Sequence, residues 1–322
     1  MTERRAFVTG ITGQDGGYLA ERLVAEGVSV HGLVHGHDEQ AGELIRRCPE
    51  AVLHEGDLTD AGRIRALIAE VAPDEVYNLG GVSSVAFSWQ QPLLTGQVSG
   101  FGAVAVLDAC WRLQEETGRP VRVLQASSAE IFGDPEQVPQ NELTPLRPAT
   151  PYGAAKAYAH QMTSIFRSRG LAASAVILYN HESPRRPETF VTRKITAAAA
   201  RIAAGRQDRL SLGSLDARRD WGWAPDYVEA MVRAVRHEQA DDYVIATGTS
   251  HSVAEFVAAA FAAAGIDDWQ SRVGVDESFV RPVDAAEQRG DAGKARAVLG
   301  WAPTLDFTGI VTAMVEADLA QL

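Results

Sequence analysis

The stretch RAFVTGITGQDGGYLAERLVAEGVSVHGLV (Arg5–Val34) decides the fold of this chain. A short apolar run from Ala6 to Val8 predicts a buried strand, and a helical pattern from Tyr18 to Glu26 leads to a second apolar run. Three glycines separate the strand from the helix; they are Gly10, Gly13 and Gly16. Without side chains there, backbone N–H groups can approach a pyrophosphate, whose charge the helix dipole favours. This context predicts dinucleotide binding rather than an ordinary tight turn.

The bulk composition excludes several classes of protein. The chain has 322 residues, 46% of them hydrophobic, and a formal net charge of −12. That charge repels phosphate backbones, so we expect no nucleic-acid partner, although local arginines could still receive a small anion. Cys48 and Cys110 are the two cysteines and indicate neither a disulfide framework nor a metal cluster. No stretch is typical of a signal peptide or a membrane span, which favours a cytoplasmic protein without a membrane partner.

Apolar runs alternate with helical patterns along the chain, which predicts an α/β fold of the Rossmann type, a doubly wound parallel sheet. We expect a dinucleotide-binding domain over residues 1–179. Residues 180–322 would mainly form a smaller α/β lobe for substrate, with a segment near 220–248 returning to the first domain. Within that segment, Tyr243 to Thr247 is predicted to be a strand of the main sheet.

The end of the second strand bears on the choice of cofactor. An acidic residue there typically holds the ribose hydroxyls of NAD, whereas a basic one accommodates the 2′-phosphate of NADP. The chain has His35 and Gly36 at this point, which is neither pattern. Asp57, after the third strand, could meet the adenine amino group or could be the N-cap of a helix.

Candidate catalytic groups follow later strands. The motif ASSAEIFG places Ser128 and Glu130 at a strand end, and PYGAAK begins a helix on which Tyr152 and Lys156 share a face. A nearby ammonium and a cationic nicotinamide ring both favour tyrosinate, so we expect a lowered pKa for Tyr152. Tyr152 could then take a hydroxyl proton that Ser128 positions, and Glu130 could abstract a proton α to the resulting ketone.

Basic residues cluster after Asn180 against the acidic average of the chain. They could form an anion clamp, because guanidinium groups suit bidentate phosphate contacts, or they could be a solvated face. The cluster comprises Arg185, Arg186, Arg193, Lys194, Arg218 and Arg219.

Seven motifs resemble those of extended short-chain dehydrogenases/reductases, and most closely the GDP-mannose 4,6-dehydratase family. The resemblance covers nearly the whole chain, and the Asn180–Ile195 motif is its most specific part. The motifs are TGITGQDGGYLAE (Thr9–Glu21), YNLGGVSSVAFSWQQP (Tyr77–Pro92), QASSAEIFG (Gln125–Gly133), NHESPRRPETFVTRKI (Asn180–Ile195), RRDWGWAPDYV (Arg218–Val228), VIATG (Val244–Gly248) and GKARAVLGWAP (Gly293–Pro303).

The resemblance implies a redox-neutral reaction on a nucleotide sugar, with NADP or NAD as cofactor. The catalytic residues it implies are Ser128, Glu130, Tyr152 and Lys156. Its cofactor contacts are Gly10, Thr12, Gly13, Gln14, Asp15, Gly16, His35, Asp57, Leu58, Leu79, Gly80, Ser83, Tyr152 and Lys156. Its substrate contacts are Ser84, Ser128, Asn180, Val191, Lys194, Arg219 and Arg281.

The chain departs from the family at four points. His35 and Gly36 stand where the family has an Arg pair for the NADP 2′-phosphate, which makes NAD a serious candidate. The segment between Val34 and Gly56 is shorter than the family's tetramer-forming loop, so we expect a homodimer. Ser128 stands where Thr is usual, and Val82 and Ser84 replace a polar residue and a His, which suggests an altered sugar.

Two alternatives stay open at this point. A nucleotide-sugar 4-epimerase would use the same Tyr152 and Lys156 but would need no carboxylate at Glu130. A non-catalytic dinucleotide-binding protein would not require Ser128, Tyr152 and Lys156 together.

Overall fold

A computed structural model describes residues 4–36, 39–276 and 285–322 of the chain. Its strands, in chain order, are β1 (Arg5–Thr9), β2 (Ser29–Val34), β3 (Val52–Glu55), β4 (Glu75–Asn78), β5 (Arg122–Ser128), β6 (Ala172–Leu178), β7 (Asn180–Glu182), β8 (Leu210–Leu212), β9 (Arg218–Trp223), β10 (Asp242–Ile245), β11 (Ser250–Ser252), β12 (Val273–Val275) and β13 (Glu287–Gln288). Its α-helices are α1 (Gln14–Val24), α2 (Glu39–Arg47), α3 (Ala61–Val71), α4 (Val85–Gln90), α5 (Pro92–Thr95), α6 (Gly102–Thr117), α7 (Pro151–Ser168), α8 (Val191–Ala203), α9 (Ala224–Arg236), α10 (Val253–Ala263), α11 (Gly293–Leu299) and α12 (Phe307–Leu319).

The main sheet has seven parallel strands in the order β3-β2-β1-β4-β5-β6-β10. Strands covered by helices on both faces must be apolar on both, and β4 and β6 are accordingly buried over nearly their whole length. Helices α1, α9 and α11 pack on one face, and α3 and α6 on the other. The predicted Rossmann-type sheet is confirmed.

The segment after residue 180 contributes to both parts of the fold. Helix α9 packs against α1 and shares its hydrophobic core, and β10 lies beside β6 in the main sheet. The predicted strand at Tyr243 therefore lies in that sheet, whereas the division into residues 1–179 and 180–322 remains a prediction.

A second, smaller sheet is built around β9. Strand β11 pairs with it antiparallel, and β7 and β13 pair with it parallel. A separate core formed with α8, α10 and α12 surrounds the buried indole of Trp221. This sheet brings the Asn180–Ile195 motif, the start of β9 and the C-terminal segment near Gln288 together.

A long helical stretch, Pro92–Thr117, has the length and apolar composition that would allow a helix to cross a membrane. It consists of α5, a π-helical turn at Gly96–Phe101 and α6. Half of its most apolar part is buried inside the protein. Residues such as Val106 and Leu107 pack in the core beside α3. These contacts are those of a core helix.

Candidate active site

The catalytic candidates meet at the carboxyl edge of the main sheet. Strand β5 ends at Ser128, whose hydroxyl accepts the Glu130 N–H at 3.3 Å and caps a 3-10 turn at Ala129–Ile131. This short turn brings the Glu130 side chain to the same edge as the Ser128 hydroxyl, two residues after the strand.

Helix α7 starts directly above this turn. The Thr150 hydroxyl accepts the Gly153 N–H at 3.0 Å, and Pro151 occupies the first turn, where its missing N–H costs nothing. A Cβ at Gly153 would lie 2.5 Å from the Glu130 carbonyl oxygen, so only glycine permits this approach. Tyr152 is thereby held beside the turn that carries Glu130.

Tyr152 and Lys156 are next to one another as predicted. The Lys156 ammonium lies 5.9 Å from the centre of the Tyr152 ring and donates to the Ala126 carbonyl at 3.0 Å. Burial raises the pKa of Tyr152 to about 12, although a hydrogen bond with Ser128 partly opposes this. Burial also lowers the pKa of Lys156 to about 8.

Burial therefore opposes the expected lowering of the Tyr152 pKa, which stays a prediction for the chain with its cofactor bound. Withdrawal from water disfavours the charged form of both groups, so it acts against tyrosinate and against the ammonium that was to stabilise it. The sequence revealed the spacing of the pair but not the depth at which it lies.

A row of buried polar side chains, which the sequence analysis missed, runs beneath the site. The Thr9 hydroxyl donates to Asn78 at 2.6 Å, and the Asn78 amide donates to Gln125 at 2.7 Å. The Gln125 amide donates at 2.9 Å to the Ala126 carbonyl, which also accepts from Lys156. These residues are register partners on β1, β4 and β5. The sequence could have revealed this row, because Thr9, Asn78 and Gln125 are polar residues in neighbouring buried strands.

The glycine turn fits a dinucleotide pyrophosphate. A Cβ at Gly16 would lie 2.2 Å from the Gly10 carbonyl oxygen, and one at Gly10 would lie 2.8 Å from the Gly80 backbone nitrogen. The N-cap of α1 is Gly13, which has no side chain to occupy the helix N-terminus. Backbone N–H groups in the first turn of a helix have no acceptor within the helix and suit an anion.

The side chains of Gln14 and Asp15 contact the Asn180–Ile195 motif. Gln14 donates to the His181 carbonyl at 3.1 Å and accepts from the Ser183 hydroxyl at 2.8 Å. The Asp15 carboxylate lies 2.8 Å from His181 Nε2. Their backbone is therefore what remains to meet a pyrophosphate, and the glycine turn is tied to the Asn180–Ile195 motif.

Burial and the ion pair act against each other on Asp15 and His181. Burial raises the pKa of Asp15, but His181 and the Gln14 hydrogen bond leave it lowered overall. Burial lowers the pKa of His181, but Asp15 leaves it raised overall. The His181 ring also stacks on Tyr227 of α9. Each ionised partner therefore stabilises the other in a buried setting.

At the end of β2, His35 Nε2 lies 3.1 Å from the Asp57 carboxylate, and both side chains are exposed. The Thr59 backbone N–H, at 2.8 Å, is the main cause that lowers the pKa of Asp57. The N-cap of α3 is Asp60 rather than Asp57, so the N-cap alternative for Asp57 is wrong.

The other expected cofactor contacts also lie along this edge. Leu58 is buried after β3, Gly80 donates its backbone N–H to the Thr9 hydroxyl at 2.9 Å, and Leu79 and Ser83 flank Gly80. Thr12 lies in the turn between Gly10 and α1.

The expected substrate contacts are divided among β7, α8, β9 and the start of α4. Asn180 begins β7 and Arg219 lies on β9, where its guanidinium donates to the Ala285 carbonyl at 2.9 Å. Val191 begins α8, and the Lys194 ammonium donates to the Ser211 carbonyl at 2.8 Å. Ser84 caps α4, and Arg281 lies outside the described residues.

The basic cluster does not form one clamp in the described contacts. The Arg193 guanidinium is buried in an ion pair with Asp318 of α12. Arg185 stacks 3.7 Å over the Tyr18 ring, and Arg186 pairs with Glu182 at 3.3 Å. A solvated face is wrong for Arg193, because it and Asp318 are almost fully buried, whereas the anion clamp stays a prediction for the rest of the cluster.

A further contact reaches the site from the C-terminal part of the chain. The Gln288 amide on β13 donates to Glu130 Oε1 at 3.3 Å, and both residues line one small pocket with Val85 and Thr150. Nothing in the local sequence around either residue indicates a contact across 158 positions.

Comparison with known proteins places this geometry in one family. The family model for GDP-mannose 4,6 dehydratase matches residues 7–314. GDP-mannose 4,6 dehydratase 1 of Arabidopsis thaliana is 45% identical over 98% of this chain and 89% of its own, and the Homo sapiens GDP-mannose 4,6 dehydratase is 41% identical over 98% and 91%. The solved Thermus thermophilus UDP-glucose 4-epimerase in complex with NAD is 26% identical, with a TM-score of 0.83 over 99% of this chain and 100% of that one. The chain belongs to the GDP-mannose 4,6-dehydratase family.

Proposed function

We propose that the chain is a nucleotide-sugar 4,6-dehydratase that converts GDP-mannose, or a closely similar nucleotide hexose, to the 4-keto-6-deoxy sugar. The observation that carries this is the placement of Glu130 beside Tyr152 and Ser128 within a family match over residues 7–314. An acid placed there distinguishes an elimination from a simple epimerisation, which needs only the tyrosine and its partners.

The nicotinamide cofactor supplies a hydride acceptor and donor for the sugar. Around it, Ser128 would hold the C4 hydroxyl and Tyr152 would accept its proton. Once C4 is a ketone the C5–H is acidic, and Glu130 would remove that proton while water leaves from C6. Lys156, fixed on the Ala126 carbonyl, would keep a positive charge beside Tyr152.

The decisive test is to incubate the purified protein with a panel of nucleotide sugars, including GDP-mannose, without added reductant. Mass spectrometry should show the loss of one water from a single member. Interconversion of isomers without a mass change would favour the 4-epimerase, and inertness towards every sugar would contradict both.

The assignment of Glu130 has a separate test. Glu130→Gln keeps the size of the side chain but cannot accept the C5 proton, so product formation should fall by about 10²–10⁴-fold. A Glu136→Gln variant, at an exposed carboxylate in the following loop, is the matched control. Normal product formation by Glu130→Gln would remove Glu130 from this role.

We propose NAD rather than NADP as the resident cofactor. The Asp57 carboxylate stands 3.1 Å from His35 Nε2 at the end of β2, so a 2′-phosphate at this position would face a negative charge. A titration should show binding of NAD at least as tight as that of NADP. A strong preference for NADP would show that another residue supplies the phosphate contact.

We propose that two copies associate as a homodimer through α5, the π-helical turn and α7. Large apolar side chains are exposed on this surface, and Phe101 contacts Tyr158 across the two elements at 5.5 Å. Exposed apolar side chains grouped on neighbouring elements are typical of an interface. The exposed residues include Leu93, Phe101 and Ile165, and Trp89 on the neighbouring α4.

Light scattering should give twice the chain mass, and Leu93→Asp should give the single-chain mass. A wild-type protein that is monomeric at micromolar concentration would contradict the homodimer.

We also propose that the enzyme is cytoplasmic. The thiols of Cys48 and Cys110 are both free and buried, as expected where reducing conditions keep thiols unpaired. Cell fractionation that finds the protein with membranes or outside the cell would contradict this.

A further inference from the structure

We propose that Gln288 is a positioning residue for the elimination, which holds the carboxylate of Glu130 in place from the second lobe. This inference rests on the proposed function of Glu130 as the group that removes the C5 proton. Gln288 itself would not exchange protons with the sugar.

The first support is the contact itself. Gln288 Nε2 lies 3.3 Å from Glu130 Oε1, and the Gln288 side chain is 4% exposed. Fixing one carboxylate oxygen restricts rotation about the terminal torsion of a glutamate, which is otherwise broad. With Oε1 held, Oε2 is the oxygen left to meet a C–H bond.

The second support is that the backbone under Gln288 is fixed from both sides. On one side β13 pairs with β9, where Gln288 is the register partner of Arg219. On the same side Gly290 donates its N–H to the Asp220 carboxylate of β9 at 3.3 Å, and on the other side Gln140 donates its N–H to the Arg289 carbonyl at 3.0 Å. An amide on so constrained a strand is a rigid donor rather than a mobile surface group.

The third support is the chemistry of the donor. An arginine or lysine at this position would form a charge-assisted pair with the Glu130 carboxylate. Its positive charge would make that carboxylate a weaker base towards the C5 proton. The neutral amide of Gln288 orients the carboxylate without a counter-charge. The pocket that the two residues share, with Gly133, Ala149 and Thr150 in its wall, lies beside the start of α7.

The test separates sugar oxidation at C4 from proton removal at C5. In a single turnover with GDP-mannose in deuterated water, C4 oxidation appears as reduced-nicotinamide absorbance, and C5 proton removal appears as deuterium in the recovered sugar. In Gln288→Leu we expect C5 exchange and product formation to fall on the order of 10–100-fold, as small misplacements of a reacting group do. The C4 step and the KM for the sugar should stay within about twofold, so reduced cofactor should accumulate.

Two further variants make the result interpretable. Gln288→Met keeps the length of the side chain without its amide and should behave like Gln288→Leu, which guards against one variant failing to fold. Gln239→Leu removes a glutamine side chain from an exposed turn before β10, at the opposite edge of the sheet, and should leave both steps unchanged. Thermal unfolding of each variant checks that the comparison is between folded proteins.

The outcomes distinguish a failure of the Gln288 proposal from a failure of the proposed function. Normal C5 exchange in folded Gln288→Leu and Gln288→Met, or an equal fall in the C4 and C5 steps, would overturn the role of Gln288. If Glu130→Gln still blocks exchange in that case, the proposed function stands. If the wild-type protein takes up no deuterium at C5 and releases no water from any sugar, the proposed function itself fails.

Discussion

Replacing the buried lysine of the active site should stabilise the folded protein while it destroys activity. Lys156 is 6% exposed, and burial lowers its pKa from 10.5 to about 8. At neutral pH the folded chain therefore carries an ammonium at an electrostatic cost. Lys156→Met removes that charge and keeps most of the volume of the side chain.

The magnitude follows from the size of the pKa shift. Lowering the pKa of Lys156 from 10.5 to about 8 corresponds to about 3 kcal/mol, which is the cost of the buried charge that Lys156→Met removes at neutral pH. Against this stands the lost hydrogen bond to the Ala126 carbonyl, worth about 1–2 kcal/mol. That carbonyl keeps a donor, because the Gln125 amide also binds it at 2.9 Å. We expect a net gain of about 1–2 kcal/mol in the free energy of unfolding.

The pH dependence gives a second, independent signature. With a folded pKa below the unfolded one, the folded wild type binds fewer protons between about pH 8 and pH 10.5, so its stability rises with pH in that window. The Lys156→Met variant has no ionisable group at this position, so its stability does not rise with pH from this cause. Its advantage should be largest at neutral pH and should disappear as pH approaches 10.

Urea unfolding followed by tryptophan fluorescence measures both effects. Lys294→Met is the control, because Lys294 pairs with Asp241 near the surface and such pairs contribute at most about 1 kcal/mol. A Lys156→Met protein that is less stable than wild type at neutral pH, or whose difference from wild type does not change with pH, would refute the reasoning.

Three further predictions concern the ion pair, the cofactor and the glycine turn. Asp15→Asn should lower the free energy of unfolding by about 3–5 kcal/mol near pH 6, because it leaves a buried His181 unpaired. The loss should shrink as pH rises through the raised pKa of His181, where the wild-type pair also disappears, and a loss that is independent of pH would contradict this. His35→Arg should increase the preference for NADP by about tenfold or more in a binding titration, whereas Gly36→Arg is a poorer test because the φ of Gly36 is +55°. Gly16→Ala should abolish binding of either dinucleotide in calorimetry, since its Cβ would lie 2.2 Å from the Gly10 oxygen.

The local parts of the site were predictable from the sequence. Three features are each encoded within a few residues of sequence: the glycine turn, the strand end at Ser128 and the Tyr152–Lys156 spacing. The structure has a helix start, a strand end and a helix at these positions. The buried row under Lys156 could also have been found, because Thr9 and Asn78 end strands that are otherwise apolar. A polar group at such a position needs a partner on the neighbouring strand.

The long-range parts were not predictable from a single sequence. Asp15 and His181 are separated by 166 positions, and neither shows by its neighbours that it will be buried against the other. The same holds for the pKa of Tyr152, because its direction depends on how much water the folded lobes exclude. Periodicity and motif spacing carry no information about desolvation.

Local motifs and long-range contacts contribute different parts of the site. Ser128, Glu130 and Tyr152 come from the end of β5, the 3-10 turn after it and the start of α7, so one edge of the main sheet supplies the proposed proton-transfer groups. Two strands that pair with β9 contact this edge, β7 through His181 on Asp15 at the glycine turn and β13 through Gln288 on Glu130. The packing that buries the Asp15–His181 pair at the glycine turn therefore also places an amide donor against the candidate base, so one arrangement of the chain constrains both parts of the site.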